Sequence, residues 1–146
     1  NNYGGFLNGA VFIASEFIKS GEVVIQENSN GSKDKLVVTG SGKLTDIPVI
    51  VLVNKGSASA SEIVAGALRD HKRAKLIGET TFGKGTIQES RELSGGAGIK
   101  ITTARWLTPD GIWVNEKGLE PDIKIEDKVE TKEDEQLEKA VEELLK

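Results

Sequence analysis

The apolar run Pro48-Val-Ile-Val-Leu-Val53 constrains what this chain can fold into more than any other feature. It is too short for a helix and rich in β-branched residues, so it reads as a strand buried on both faces. Ser59 to about His71 follows as a helix, with Ile63 over Ala67 and Val64 over Leu68 one turn apart. Lys75 to Gly78 then returns as a strand. Strand, helix and strand in that order imply a right-handed crossover between two parallel strands. On such a sheet a ligand site lies at the carboxyl ends of the strands, here the segments after Val53 and after Gly78.

The flanking segments predict further elements of both kinds. Leu7, Ala10, Val11, Ala14, Phe17 and Ile18 recur at helical spacing before Ser20-Gly21. Glu22 to Glu27 and Leu36 to Val38 read as strands about a polar turn that contains Gly31. Residues 86–91 and 98–107 read as strands around Gly95-Gly96, with shorter strands at Trp113 and at Ile123 to Ile125. An acidic closing helix is expected over about 132–145, with Leu137, Ala140, Val141 and Leu144 on one face. A length of 146 residues and a hydrophobic fraction of 37% suit a single domain with its own core.

Composition removes several classes of function. Residues 126–146 carry nine acids and four bases, so 23 − 9 = 14 acids and 19 − 4 = 15 bases remain for the rest, which is close to neutral. No basic face with interleaved aromatics appears, which argues against nucleic-acid binding. No segment approaches the length and apolarity of a membrane span. With no cysteine and one histidine, thiolate chemistry is excluded, and neither a metal centre nor a cofactor is expected.

In the same composition Ser59 and Lys84 are the best available nucleophile and base. A hydroxyl needs an adjacent base to attack a carbonyl, and a neutral lysine can serve as histidine does elsewhere. An ordinary lysine, with a pKa of about 10.4, is neutral in only about one part in 2,500 at pH 7, a cost of roughly 4.6 kcal/mol. Burial can lower a lysine pKa by about 3 to 5 units, and Phe82 and Ile87 offer apolar neighbours on either side of Gly83 and Gly85. The plainer reading is that Ser59 caps a helix in a Ser-x-x-Glu capping box with Glu62, and that Lys84 is a solvated loop lysine. Ser57 and Ser61 are the neighbouring candidates for the cap.

The stretch Asn54-Lys-Gly-Ser-Ala-Ser-Ala-Ser-Glu-Ile63 with Gly78-Glu-Thr-Thr-Phe-Gly-Lys-Gly85 resembles the carboxyl-terminal processing (tail-specific) proteases. Asn1-Asn-Tyr-Gly-Gly5 resembles their Asn-x-Pro-Gly-Gly turn, with Tyr3 in place of the proline, and Trp106-Leu-Thr-Pro-Asp-Gly111 and Lys117-Gly-Leu-Glu-Pro-Asp122 resemble later blocks. The resemblance implies a crotonase/ClpP-like α/β fold and a Ser-Lys dyad in which Ser59 is the nucleophile and Lys84 the base. It also implies that Gln88 steadies the lysine and that the backbone amides of Gly5 and Ala60 form the oxyanion hole. Gly4 is the near alternative to Gly5. Asp70 stands where some members carry an auxiliary acid, although a solvated helix-end carboxylate is the simpler reading, and His71 reads as a helix-terminal cation.

By the same resemblance the substrates are proteins or peptides cut near their carboxyl ends, the setting is the cell envelope or periplasm, and a homo-oligomer is possible. The chain corresponds to the carboxyl-terminal portion of the protease domain, without the amino-terminal region and PDZ module, so by itself it is expected to be inactive or nearly so. The rival reading is a non-catalytic peptide- or partner-binding module on the same fold, with Ser59 only a cap. Acyl-CoA chemistry on that fold is a third.

Overall fold

The computed structural model describes residues 1–126 and 133–146. Ten elements run in the order α1 (Leu7–Phe17), β1 (Glu22–Asn28), β2 (Lys33–Val37), β3 (Ile50–Val53), α2 (Ala60–Asp70), β4 (Lys75–Gly78), β5 (Thr86–Glu92), β6 (Gly98–Leu107), β7 (Ile123–Lys124) and α3 (Glu135–Leu144). The four strands β2-β1-β6-β5 form one antiparallel sheet, and β3-β4-β7 form a second, parallel one. The expected strand-helix-strand unit is present as β3, α2 and β4, with Val51 opposite Leu76 and Val53 opposite Gly78.

Several expectations need correction. The strand at 48–53 is not buried on both faces: β3 is an edge strand and Leu52 is 41% exposed, because β4 takes the middle of the sheet. The second strand of the first hairpin begins at Lys33 rather than Leu36, because Asn28, Gly31 and Ser32 already close the turn through backbone hydrogen bonds. Trp113 lies in no strand, and α1 ends at Phe17 before an extended Ile18. Residue 132, at the start of the expected closing helix, lies outside the described residues.

The core sits between the helix pair and the sheets. Ala10 and Ala14 of α1 and Ala67 and Leu68 of α2 are buried with Val23, Val24, Leu76 and Trp106. Small side chains at the α1–α2 contact let the two helices approach closely, and α2 is held at its end by the ring of His71, whose Nε2 lies 2.7 Å from the Glu22 carbonyl. This fixes the axis of α2, and with it the position of its first turn, where the candidate nucleophile lies.

In α3 the buried residues are Gln136 and Ala140, whereas Leu137, Val141 and Leu144 are 51%, 47% and 43% exposed, so the apolar face read from the sequence is only partly covered. The helix is tied to β4 by Glu143, which bonds Lys146 and, at 3.2 Å, Lys75. These hydrogen bonds, Lys146 first, hold the Glu143 carboxyl at about 2. A depressed carboxylate pKa stabilises the fold above the unfolded value, and that contribution disappears as pH falls through the folded one. Parent and Glu143→Gln proteins should therefore differ in Tm at neutral pH and converge between about pH 4 and pH 2. The difference is small because Lys75 and Lys146 are 60% and 59% exposed and well screened. A thermal-melt series against pH checks this, and a gap that persists at pH 2 would refute it.

Candidate active site

The connection from β3 into α2 is a turn closed by its own polar side chains. Asn54 Oδ1 accepts from the Gly56 N–H at 3.0 Å, and Ser57 Oγ accepts from the Asn54 N–H at 3.1 Å. Ser57 is thus committed to the turn, and Ser61 lies inside the helix; the N-cap position is Ser59 itself, whose N–H is accepted by Glu62, the reach-back half of a capping box. Ser59 has φ 57° and ψ −120°. A non-glycine residue in that region is strained by roughly 1–3 kcal/mol and persists only where its surroundings hold it. A serine on a sharp, strained strand-to-helix turn is the device by which hydrolases expose a nucleophilic hydroxyl.

The amino-terminal turn packs directly on this serine. Ala58 N–H donates to the Asn2 carbonyl at 3.0 Å, and Gly4 N–H donates to Asn2 Oδ1 at 3.0 Å. Gly4, at φ +88°, lies so close that a Cβ there would stand 2.5 Å from the Ala58 carbonyl oxygen and 2.7 Å from the Ala60 nitrogen, so only glycine fits. The Gly4 amide is already engaged. The amides of Gly5 and Ala60 have no acceptor among the described residues. Both residues line one pocket with Ser59, Lys84, Ile87, Gln88 and Trp106.

Every residue assigned to the site from the sequence therefore lines that pocket, but not every expected contact forms. Ser59 Oγ and Lys84 Nζ make no hydrogen bond to each other. Gln88 directs its amide nitrogen to Thr102 Oγ1, at 3.3 Å, and not to the lysine. Phe82 is 65% exposed, so it does not enclose Lys84; the apolar lining comes from Ile63, Ile87 and Trp106. Asp70 and His71 sit at the far end of α2, where Asp70 pairs with Arg69 and accepts from the Asp110 N–H. They belong to the scaffold.

The group that joins the two halves of the site is Glu62, which the sequence marks only as a capping residue. Its side chain is fully buried. One oxygen accepts from the Ser59 N–H at 2.7 Å and from the Lys84 N–H at 2.9 Å; the other accepts from Thr81 Oγ1 at 2.5 Å and from the Gly83 N–H at 2.7 Å. A carboxylate has about four acceptor positions and no donor, and here all four are filled. Thr81 Oγ1 in turn accepts from the Leu119 N–H at 2.7 Å, extending the network to the segment after β6. Such a buried, fully satisfied network holds a single geometry. Among the described residues no group of three or more His, Cys, Asp or Glu is arranged to hold a metal ion.

Comparison with known proteins identifies the family. The sequence description of Peptidase family S41 matches residues 1–125. The chain is 45% identical over 126 residues to the carboxy-terminal processing protease CtpA of Bacillus subtilis, covering 86% of this chain and 27% of that protein. It is 42% identical over 129 residues to the chloroplastic C-terminal processing peptidase of Tetradesmus obliquus, covering 88% and 28%. Among solved structures it superposes on a photosystem II D1 C-terminal processing protease with a TM-score of 0.78 at 42% identity, over 86% of this chain and 32% of that one. The chain thus spans about a quarter of the length of these curated relatives.

Proposed function

Since this chain belongs to peptidase family S41 and has that family's mixed α/β fold, we propose that it supplies the nucleophile, base and oxyanion hole of a serine endopeptidase that cuts proteins near their carboxyl ends. The observation that carries the reading is the strained Ser59 at the start of α2, in a pocket that it lines with Lys84 and with Gly5 and Ala60, whose amides have no acceptor among the described residues. Ser59 attacks the scissile carbonyl, and Lys84 in its neutral form takes the hydroxyl proton and returns one to the leaving amine. The amides of Gly5 and Ala60 receive the developing oxyanion, where the positive end of the helix dipole adds to them. Gln88 lines the same pocket, and we assign it to steady the lysine by hydrogen bonding.

The lack of a Ser59–Lys84 side-chain hydrogen bond is compatible with this, because catalytic hydrogen bonds are often long or unformed in a free enzyme and tighten in the substrate complex. A serine-directed acylating probe tests the reading. It should label the full-length gene product, and Ser59→Ala should remove the label. Stable folding with no label in the parent would favour the binding-module reading, in which Ser59 is only a cap. The 146-residue chain alone should hydrolyse peptides far more slowly than the full-length product, because productive geometry needs supporting shells accurate to about half an ångström; equal specific activity would overturn that. The relatives include bacterial proteins and a chloroplastic one, and we place the action of this protein in the cell envelope or periplasm, to be checked by fractionation; recovery only with the cytosol would exclude it.

A further inference from the structure

The chain has two tryptophans, and both indole N–H groups end on consecutive carbonyls of the lysine loop. Trp106 Nε1 donates to the Lys84 carbonyl at 2.8 Å, and Trp113 Nε1 donates to the Gly85 carbonyl at 3.0 Å. The peptide nitrogens are held as well: Lys84 N–H by Glu62, and Gly85 N–H by Asn115 Oδ1 at 3.2 Å. Both peptide groups flanking Lys84 are therefore gripped by side chains, although Lys84 lies in a loop between β4 and β5 that has no ladder partner of its own. A Cβ on Gly85 would stand 2.7 Å from Trp113 Nε1 and 2.8 Å from the Asn115 nitrogen, so glycine is what lets residues 113–115 press against the loop.

The two indoles differ in kind. Trp106 is 1% exposed and is part of the core, so its contribution to the fold and to the loop are merged. Trp113 is 41% exposed and lies in no regular element. It is fixed from outside by Arg105, whose guanidinium carbon is 4.9 Å from the ring centroid and which also pairs with Glu27 of β1 at 2.7 Å. Trp113 is not among the residues of the buried core. Its hydrogen bond goes to the Gly85 carbonyl, in the peptide immediately after the one that follows the base.

We infer that Trp113 is a positioning residue for Lys84: its indole N–H, together with the Trp106 backbone N–H, holds the Gly85 carbonyl, one peptide beyond the base, and thereby fixes the loop that aims the amine at Ser59. The inference rests on the dyad proposed above. Trp113→Phe in the full-length gene product keeps an aromatic ring to stack under Arg105 and removes the indole N–H with the five-membered ring that carries it. The expected result is a kcat about tenfold lower, an unchanged KM and an equally slowed acylation of Ser59 by the serine-directed probe, with Tm close to that of the parent. A purely structural role would lower Tm and leave the kcat of the folded protein where it was. Trp106→Phe serves as the second variant, with a similar or larger fall in kcat and a lower Tm, and Ile112→Ala controls for disturbance of the same segment.

Ser59→Ala is assayed in parallel. If it still hydrolyses peptide, the dyad itself is wrong. If it is dead while folded Trp113→Phe keeps kcat within twofold of the parent, the dyad stands and the positioning role falls. Failure of both tryptophan variants to fold would also overturn the inference, because the indoles would then be residues of the fold alone.

Discussion

Ser59→Ala is expected to abolish peptide hydrolysis by the full-length gene product, with kcat lowered by about 10⁴-fold or more, the scale seen when a hydrolase loses its nucleophile. Lys84→Ala should lower it by about 10²- to 10⁴-fold or more, the usual worth of a general base. Both proteins should remain folded. The reason is structural: the Lys84 side chain makes no hydrogen bond or ion pair among the described residues, and only its backbone is gripped, by Glu62 and Trp106. Alanine at 84 leaves both of those contacts intact. Alanine at 59 keeps the N–H that Glu62 receives. Steady-state kinetics with circular dichroism on each variant decides the matter, and substantial turnover by folded Lys84→Ala protein would sink the dyad.

The second large effect is expected at Glu62. Glu62→Ala would leave the N–H groups of Ser59, Gly83 and Lys84 and the Thr81 hydroxyl without their acceptor inside the protein. Each unsatisfied buried polar group costs about 1–3 kcal/mol, and water entering the vacated space recovers part of it, so a net loss above about 3 kcal/mol is expected. Activity should fall with stability, because the strained Ser59 backbone and the lysine loop share that carboxylate. Glu62→Gln keeps the shape but turns an NH₂ group toward backbone donors, and it should retain more stability than alanine while remaining well below the parent. Urea denaturation of the three proteins gives the order. A loss under about 1 kcal/mol for alanine would show that the network does not hold the site together.

The parts of the fold that rest on local pattern were legible in the chain. The run before Ser59, the helix to His71 and the strand at 75–78 are recognisable because period and length differ between strand and helix, and the structure places α2 at Ala60–Asp70 and β4 at Lys75–Gly78. The hairpin about Gly95-Gly96 followed from its turn residues, as β5 and β6. Less legible was how much of each element is covered. Leu52 and the apolar face of α3 are half exposed although their patterns predict burial, because coverage depends on which element becomes a neighbour. Phe82 illustrates the same limit at the site: adjacency to Lys84 in sequence suggested an apolar wall, but a loop turn directs successive side chains to different surroundings.

The sequence by itself determined the chemistry available to this protein. It offered serine and lysine in place of cysteine and histidine, a capping box at the start of a helix, and glycines where the backbone must pass close. Those are properties of residue type and short spacing, and they survive any arrangement of the rest. Only the tertiary structure decided which groups meet. Glu62 is three residues from Ser59 but 22 from Lys84, and Trp113 is 28 from the Gly85 carbonyl it holds. No local pattern encodes contacts at such separations. They arise because β3 and β4 lie side by side in parallel, bringing the loops at their carboxyl ends together, and because the segment after β6 folds back on the lysine loop, so that one buried carboxylate and two indoles hold the candidate nucleophile and base in a single frame.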